Sequence, residues 1–155
     1  MNDARRSVVK GLWAVGALAT AVAAGLLGPA RAFAAWNKGA FDAKSTADAM
    51  KALGISGAEE SKAIEISAPD IAENGAVVPI DITSNVPGTT SISVFIDKNP
   101  FPYTGTFDVS QGAMPYVHVR VKIGESSPVR VVVAAGGKHY TAAKEVKVTI
   151  GGCGG

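Results

Sequence analysis

The stretch Val117-His118-Val119-Arg120-Val121-Lys122-Ile123 decides the fold class. Every second residue is β-branched and apolar, and the residues between are basic, which is the period of a strand with one buried face. A helix would scatter the same four apolar side chains around its axis. Working outward, Val78, Ile80 and Ile82 alternate with Pro79, Asp81 and Thr83, and Ile92, Val94 and Ile96 alternate again after the Pro87-Gly88 turn, with Phe95 on the opposite side. Ile64-Glu65-Ile66, Thr106 to Val109, Val129 to Ala135 and Lys144 to Ile150 bring the count to about seven short strands in about 90 residues. Gly136-Gly137 reads as a hairpin turn, and Asp70 to Gly75 as a turn-rich break.

Pro79 places its strand at a sheet edge or sits where no ladder donor is needed. Asn99-Pro100-Phe101-Pro102-Tyr103 carries two prolines and reads as a rigid loop, not a central strand. Ahead of the strands, Phe41 to Leu53 reads as one short helix packed on the domain, with Asp42 at its start and Gly54 at its end. No helices alternate with the strands, so the expected architecture is mainly β: an immunoglobulin-like antiparallel β-sandwich with a short N-terminal helix. The Cys…Trp…Cys of antibody domains is absent. Val131-Val132-Val133 and Phe95 put apolar side chains on both strand faces, so these strands are either covered twice or offer a patch to a second protein.

The formal charge of +2 divides unevenly along the 155 residues. Residues 1–34 hold Arg5, Arg6, Lys10 and Arg31 against Asp3, a net +3, so the remainder stands at −1. No clustered cationic surface of the kind that binds nucleic acid is present. Residues 1–34 have the layout of a cleaved signal: a basic start, an Ala/Gly-rich apolar run from Leu12 to Leu27, and Ala32-Phe33-Ala34 before the cut. That run is shorter than the ~20 residues a spanning helix needs, so a retained anchor is the lesser alternative and no stable membrane insertion is expected after cleavage. Ala4-Arg5-Arg6-Ser7-Val8-Val9-Lys10 resembles a twin-arginine signal, an ordinary secretory signal being the alternative, and either implies export, to the periplasm in the twin-arginine case. The twin-arginine route carries folded cargo, which suggests export already assembled with a leaderless partner. The expected organisation is thus a signal over 1–34, a domain over 35–150 and a terminal arm over 151–155.

That arm, Gly151-Gly152-Cys153-Gly154-Gly155, holds the single cysteine. Four glycines out of five cannot build a core, so the segment is expected to be a mobile arm carrying the sulfur roughly 10 Å past Ile150 at ~3.3–3.6 Å per residue. A nucleophilic enzyme needs a base or cation beside its sulfur to hold the thiolate, and this segment offers neither. A thiol near its ordinary pKa of ~8.5 is a few per cent thiolate at neutral pH, so activation must come from another protein. An unprotected thiol is a liability after export, which argues against a cysteine of no consequence. Cys153 lies at neither a leader cleavage site nor a prenylation box. The residues therefore point to a covalent carrier, itself no enzyme, with Cys153 as attachment point and Gly151, Gly152, Gly154 and Gly155 as arm.

At this point the chain resembles the SoxY family, the sulfur-carrier subunits of the bacterial thiosulfate-oxidising Sox system. The resemblance rests on Ala68-Pro69-Asp70-Ile71-Ala72-Glu73-Asn74-Gly75-Ala76-Val77-Val78-Pro79, Thr83-Ser84-Asn85-Val86-Pro87-Gly88, Lys98-Asn99-Pro100 and the terminal Lys144 to Gly155. It implies a heterodimer with a SoxZ-like subunit and no resident cofactor, with thiosulfonate and persulfide held transiently on Cys153. It further implies a haem c enzyme that conjugates thiosulfate, a thiohydrolase that releases sulfate, and a sulfur dehydrogenase. Phe101 and Tyr103 make the loop after Asn99-Pro100 more aromatic than the family pattern.

Two other readings differ in class. A ubiquitin-like carrier would use its terminal Gly-Gly as a thiocarboxylate, but ATP-dependent activation belongs inside the cell and needs no adjacent thiol. A passive sandwich module would use Cys153 for an intermolecular disulfide. His118 and His139 lack a neighbouring Cys or carboxylate at ligand spacing and read as exposed or packing residues, not as metal ligands. Asp70, Glu73 and Asn74 lack EF-hand spacing and read as a turn.

Overall fold

The computed structural model describes residues 37–109 and 112–149. The chain divides into Met1–Trp36 and Asn37–Gly155, and the description below concerns the second unit. The signal reading, Arg5 and Arg6 included, lies outside the described residues, as does the arm from Gly151 to Gly155.

Among the described residues, seven strands build two sheets. The smaller has the order β2 (Ile64–Ser67), β4 (Val78–Ser84), β7 (Tyr116–Val121). The larger runs β9 (Lys138–Val148), β8 (Ser127–Ala135), β5 (Thr89–Ile96), β6 (Tyr103–Asp108), all antiparallel. Two two-residue strands, β1 (Glu59–Glu60) and β3 (Ile71–Ala72), pair parallel to β9 and cover parts of its outer edge. The alternating residues do what their period requires. Val78, Ile80 and Ile82 of β4 and Val117 and Val121 of β7 meet Ile92, Val94, Ile96, Val129, Val131 and Val133 in one core between the sheets. The sandwich reading holds, and Gly136 and Gly137, at φ +58° and +76°, make the expected hairpin turn.

Pro79 corrects half of its expectation. β4 is the middle strand of its sheet, paired on both sides, but β2 reaches only residues 81–84, so Pro79 lies past its end with β7 alone beside it. The break at Asp70–Gly75 contains β3, and the loop after Asn99 ends where β6 begins at Tyr103.

The single helix expected over Phe41–Leu53 is two helices, α1 (Lys38–Asp42) and α2 (Thr46–Ala52). Asn37 caps the first through Ala40 N–H, and Ser45 caps the second through Asp48 N–H while its hydroxyl donates to the Asp48 carboxylate. Asp42 therefore ends a helix instead of starting one. Gly54, at φ +72°, follows the second helix.

These helices settle the strands that are apolar on both faces. Phe95 and Val132 point away from the inter-sheet core into a second cluster with Ala40, Ala49 and Tyr103, backed by Phe41, Met50 and Leu53. The rings of Phe41 and Tyr103 lie 4.6 Å apart, and those of Phe95 and Tyr103 5.5 Å. Asp97 locks the layer in place by accepting from Thr46 Oγ1 (2.9 Å) and from Arg130, whose Nη2 stands 2.8 Å away. The chain's own helices thus cover the apolar face, and Phe95 and Val132 give no support for a second protein there.

Candidate functional site

Every site residue expected from the sequence, Cys153 and its four glycines, lies beyond the last described residue, Thr149. What the structure supplies is the root from which that segment departs. β9 is the longest strand and belongs to the core through Val146, so its direction is set by the whole sandwich. Its last residues are held from two sides. On the outer edge Lys147 N–H donates to Asp70 O (3.0 Å) and Thr149 N–H to Ala72 O (3.2 Å), flanking the β3 pairing. From the loop before β8, Ser126 Oγ accepts from Val148 N–H at 2.9 Å.

A second tier steadies those holders. Gly75 O accepts from Ile123 N–H at 2.7 Å, joining the loop before β4 to the loop after β7. A Cβ on Gly75 would stand 2.4 Å from Ile123 O and 2.8 Å from Val148 Cγ1, so only glycine fits between that loop and the root. The Asn99 amide grips the same loop on both sides of Ile123: its Nδ2 donates to Lys122 O (2.7 Å) and its Oδ1 accepts from Gly124 N–H (3.0 Å). Lys98 N–H donates to Ser127 Oγ at 3.0 Å. Three segments far apart in sequence, residues 70–75, 98–99 and 122–127, therefore close one end of the sandwich around the last described residues, 147–149. The arrangement fixes the position and direction of the chain at Thr149.

None of these root residues was singled out for a role by sequence reading. Gly75 and Asn99 fall within the quoted stretches of resemblance, yet neither run signals a long-range contact. The aromatic residues of the Asn99–Tyr103 loop also find their explanation here. Tyr103 is buried under α1, and Phe101 lies beneath the Lys44 ammonium, 3.4 Å from its ring centroid.

Other polar clusters carry no comparable chemistry. Asp81 on β4 accepts from the Tyr116 hydroxyl and contacts His118 Nδ1 at 2.9 Å, both on β7, so the three form a cross-strand ladder on the exposed face of the smaller sheet. The Tyr116 hydroxyl, then His118, holds the Asp81 carboxyl below its ordinary value, and the Asp81 acceptor holds the Tyr116 phenol above its own. His118 and His139 belong to different sheets. Asn74 Oδ1 accepts from Ala76 N–H, and Asp70 pairs with Lys144 at 3.2 Å, so these residues shape a turn and an edge. Among the described residues no group of three or more His, Cys, Asp and Glu is placed to hold a metal, and no helix is long and apolar enough to cross a membrane.

Comparison with known proteins places this geometry. The family described as sulfur oxidation protein SoxY matches residues 49–153, a span that ends on the cysteine. Among solved structures, the sulfur carrier protein SoxY from Chlorobium limicola f thiosulfatophilum is 43% identical, with a TM-score of 0.63 over 73% of this chain and 99% of that one. A chain from the structure described as the structural basis of T cell specificity and activation by the bacterial superantigen toxic shock syndrome toxin-1 reaches a TM-score of 0.40 at 15% identity over 56% of this chain and 99% of that one, which is too remote to bear on either fold or function. No curated protein matches.

Proposed function

We propose, from the premise that this chain belongs to the SoxY family, that it is an exported sulfur carrier whose Cys153 binds thiosulfate-derived intermediates covalently and presents them to partner enzymes. Family membership supports a sulfur carrier of sulfur oxidation, and in this reading the chain is a carrier subunit and not itself the catalyst. The observation that carries the finer reading is that the family match runs to Cys153, the only thiol in the chain.

In this reading the Cys153 thiolate attacks the outer sulfur of thiosulfate while a haem c enzyme takes up two electrons, leaving an S–S–sulfonate on the arm. Water then adds to the sulfone sulfur in a thiohydrolase; sulfate and two protons leave, and a persulfide remains on Cys153. A sulfur dehydrogenase oxidises that remaining sulfur. The chain contributes the thiol, a glycine run without side chains to obstruct a narrow cleft, and the root described above. A SoxZ-like subunit would complete a heterodimer, and the twin-arginine-like start would carry the folded pair to the periplasm.

The test separates the thiol from the C-terminal carboxylate. Cys153→Ala with Gly155 intact, produced in thiosulfate-grown cells, loses all sulfur loading in this account. Sulfur found on that variant as a terminal thiocarboxylate would instead establish the ubiquitin-like mode.

A further inference from the structure

Resting on the carrier reading, we propose that the root end of the sandwich is the surface on which sulfur-processing enzymes dock, with Ile71 and Val77 as its apolar contacts. The argument starts from a leash. Cys153 is four residues past Thr149, so its sulfur stays within roughly 14 Å of a fixed point on the body at ~3.3–3.6 Å per residue. An enzyme whose centre is recessed in a cleft must bring the mouth of that cleft within the same distance. The body surface around Thr149 is then pressed against the rim of every enzyme that acts on the thiol.

That surface has the composition for it. Of the five large hydrophobic side chains exposed among the described residues, Ile71, Val77 and Phe101 lie at the root end, and Met114 and Tyr116 at the other. Phe101 already carries Lys44 on its ring. Ile71 (58% exposed) adjoins Ala72, which accepts from Thr149, and Val77 (54% exposed) is two residues from Gly75, which packs on Val148. Exposed charges of both signs are interspersed at this end, Asp70, Glu73 and Glu125 with Lys44, Lys98, Lys122 and Lys147. No block of one sign dominates, so the fitting partner is an enzyme with an apolar, weakly charged cleft rim. A patch built on two aliphatic side chains is small, which suits a carrier that must leave each enzyme after its step.

The experiment uses the full chain in its host: a thiosulfate pulse, then intact-mass measurement of the Cys153 adduct over time, with maleimide labelling of the free thiol alongside. Ile71→Asp/Val77→Asp is expected to load roughly 10-fold more slowly while labelling at the unaltered rate, and Met114→Asp to load normally. If the aspartate pair lowers the amount of folded protein, Ile71→Thr/Val77→Thr serves, with a drop of roughly 3-fold expected. Normal loading of the variants at positions 71 and 77, or an equal loss in Met114→Asp, overturns the docking surface. Absence of any adduct on the unaltered chain overturns the carrier reading beneath it.

Discussion

The two ends of the sandwich use the same residue types for different physical ends. At the end away from the root, Gly88, Gly112, Gly136 and Gly137 all have positive φ and open space where a Cβ would go. They are there for backbone conformation. At the root end Gly75 has no such φ, but it has neighbours so close that a single carbon would collide with backbone. It is there for proximity. Hydroxyls divide in the same way: Ser84 and Thr89 bond each other and Val86 within one turn, whereas Ser126 and Ser127 reach across to Val148 and Lys98. One end turns the chain around, and the other holds the last described residues ahead of the segment proposed to carry sulfur.

That contrast can be broken by substitution, beginning where the effect is largest. Ile123, fully buried and donating to Gly75 O, should cost about 2–5 kcal/mol as alanine, read as a lower denaturant midpoint at unchanged slope. Gly75→Ala follows at about 3 kcal/mol, because the carbonyl of Ile123 is backbone and cannot swing aside. Gly112→Ala, at φ +81° in open space, should cost about 1 kcal/mol, and Gly112→Asn less, since asparagine tolerates the left-handed region. Gly75→Asn should be no milder than Gly75→Ala. If the two glycines respond alike to asparagine, the distinction between conformation and proximity is wrong.

The smallest effect belongs to the Asp81–Tyr116–His118 ladder, which is exposed. Asp81 has a folded pKa below its ordinary 3.8, so its contribution is present above that value and disappears as pH falls through the lowered one. The Tyr116 pKa is raised above 10.0, so its contribution is complete below that value and is lost as pH rises through the raised one. Melting curves of the unaltered chain and Tyr116→Phe should differ slightly and by a constant amount between about pH 4 and 10, and draw together as pH falls through the lowered Asp81 value or rises through the raised Tyr116 one. A difference that did not shrink with acidification below about pH 4 would contradict the ladder.

How much of this could be read from the sequence follows from the range of each interaction. Strands such as Val117–Ile123 and Val78–Thr83 were legible because alternation is a local record of burial. β1 and β3 were not, because two residues have no period and their pairing to β9 is decided about eighty residues away. The break between α1 and α2 has a local sign, Ser45 three residues before Asp48, but the apolar spacing runs straight through it. What covers the outer faces of Phe95 and Val132, a second layer of the chain or another protein, stays open in the sequence because contacts such as Phe41 with Tyr103 leave no mark in either segment alone. Cys153 and its glycines stood out by composition. Gly75, Asn99 and Ser126, which hold the root, did not, since their value lies in where Ile123, Lys122 and Val148 end up in space.

The most direct test of the carrier claim is intact-protein mass spectrometry, without reductant, on the mature chain from thiosulfate-fed cells, with Cys153→Ser beside it. The account predicts sulfur or thiosulfonate adducts on the unaltered chain that reductant removes and that fragmentation places on Cys153, and none on the variant. A bare thiol, or one found only in a disulfide with another protein, would contradict it.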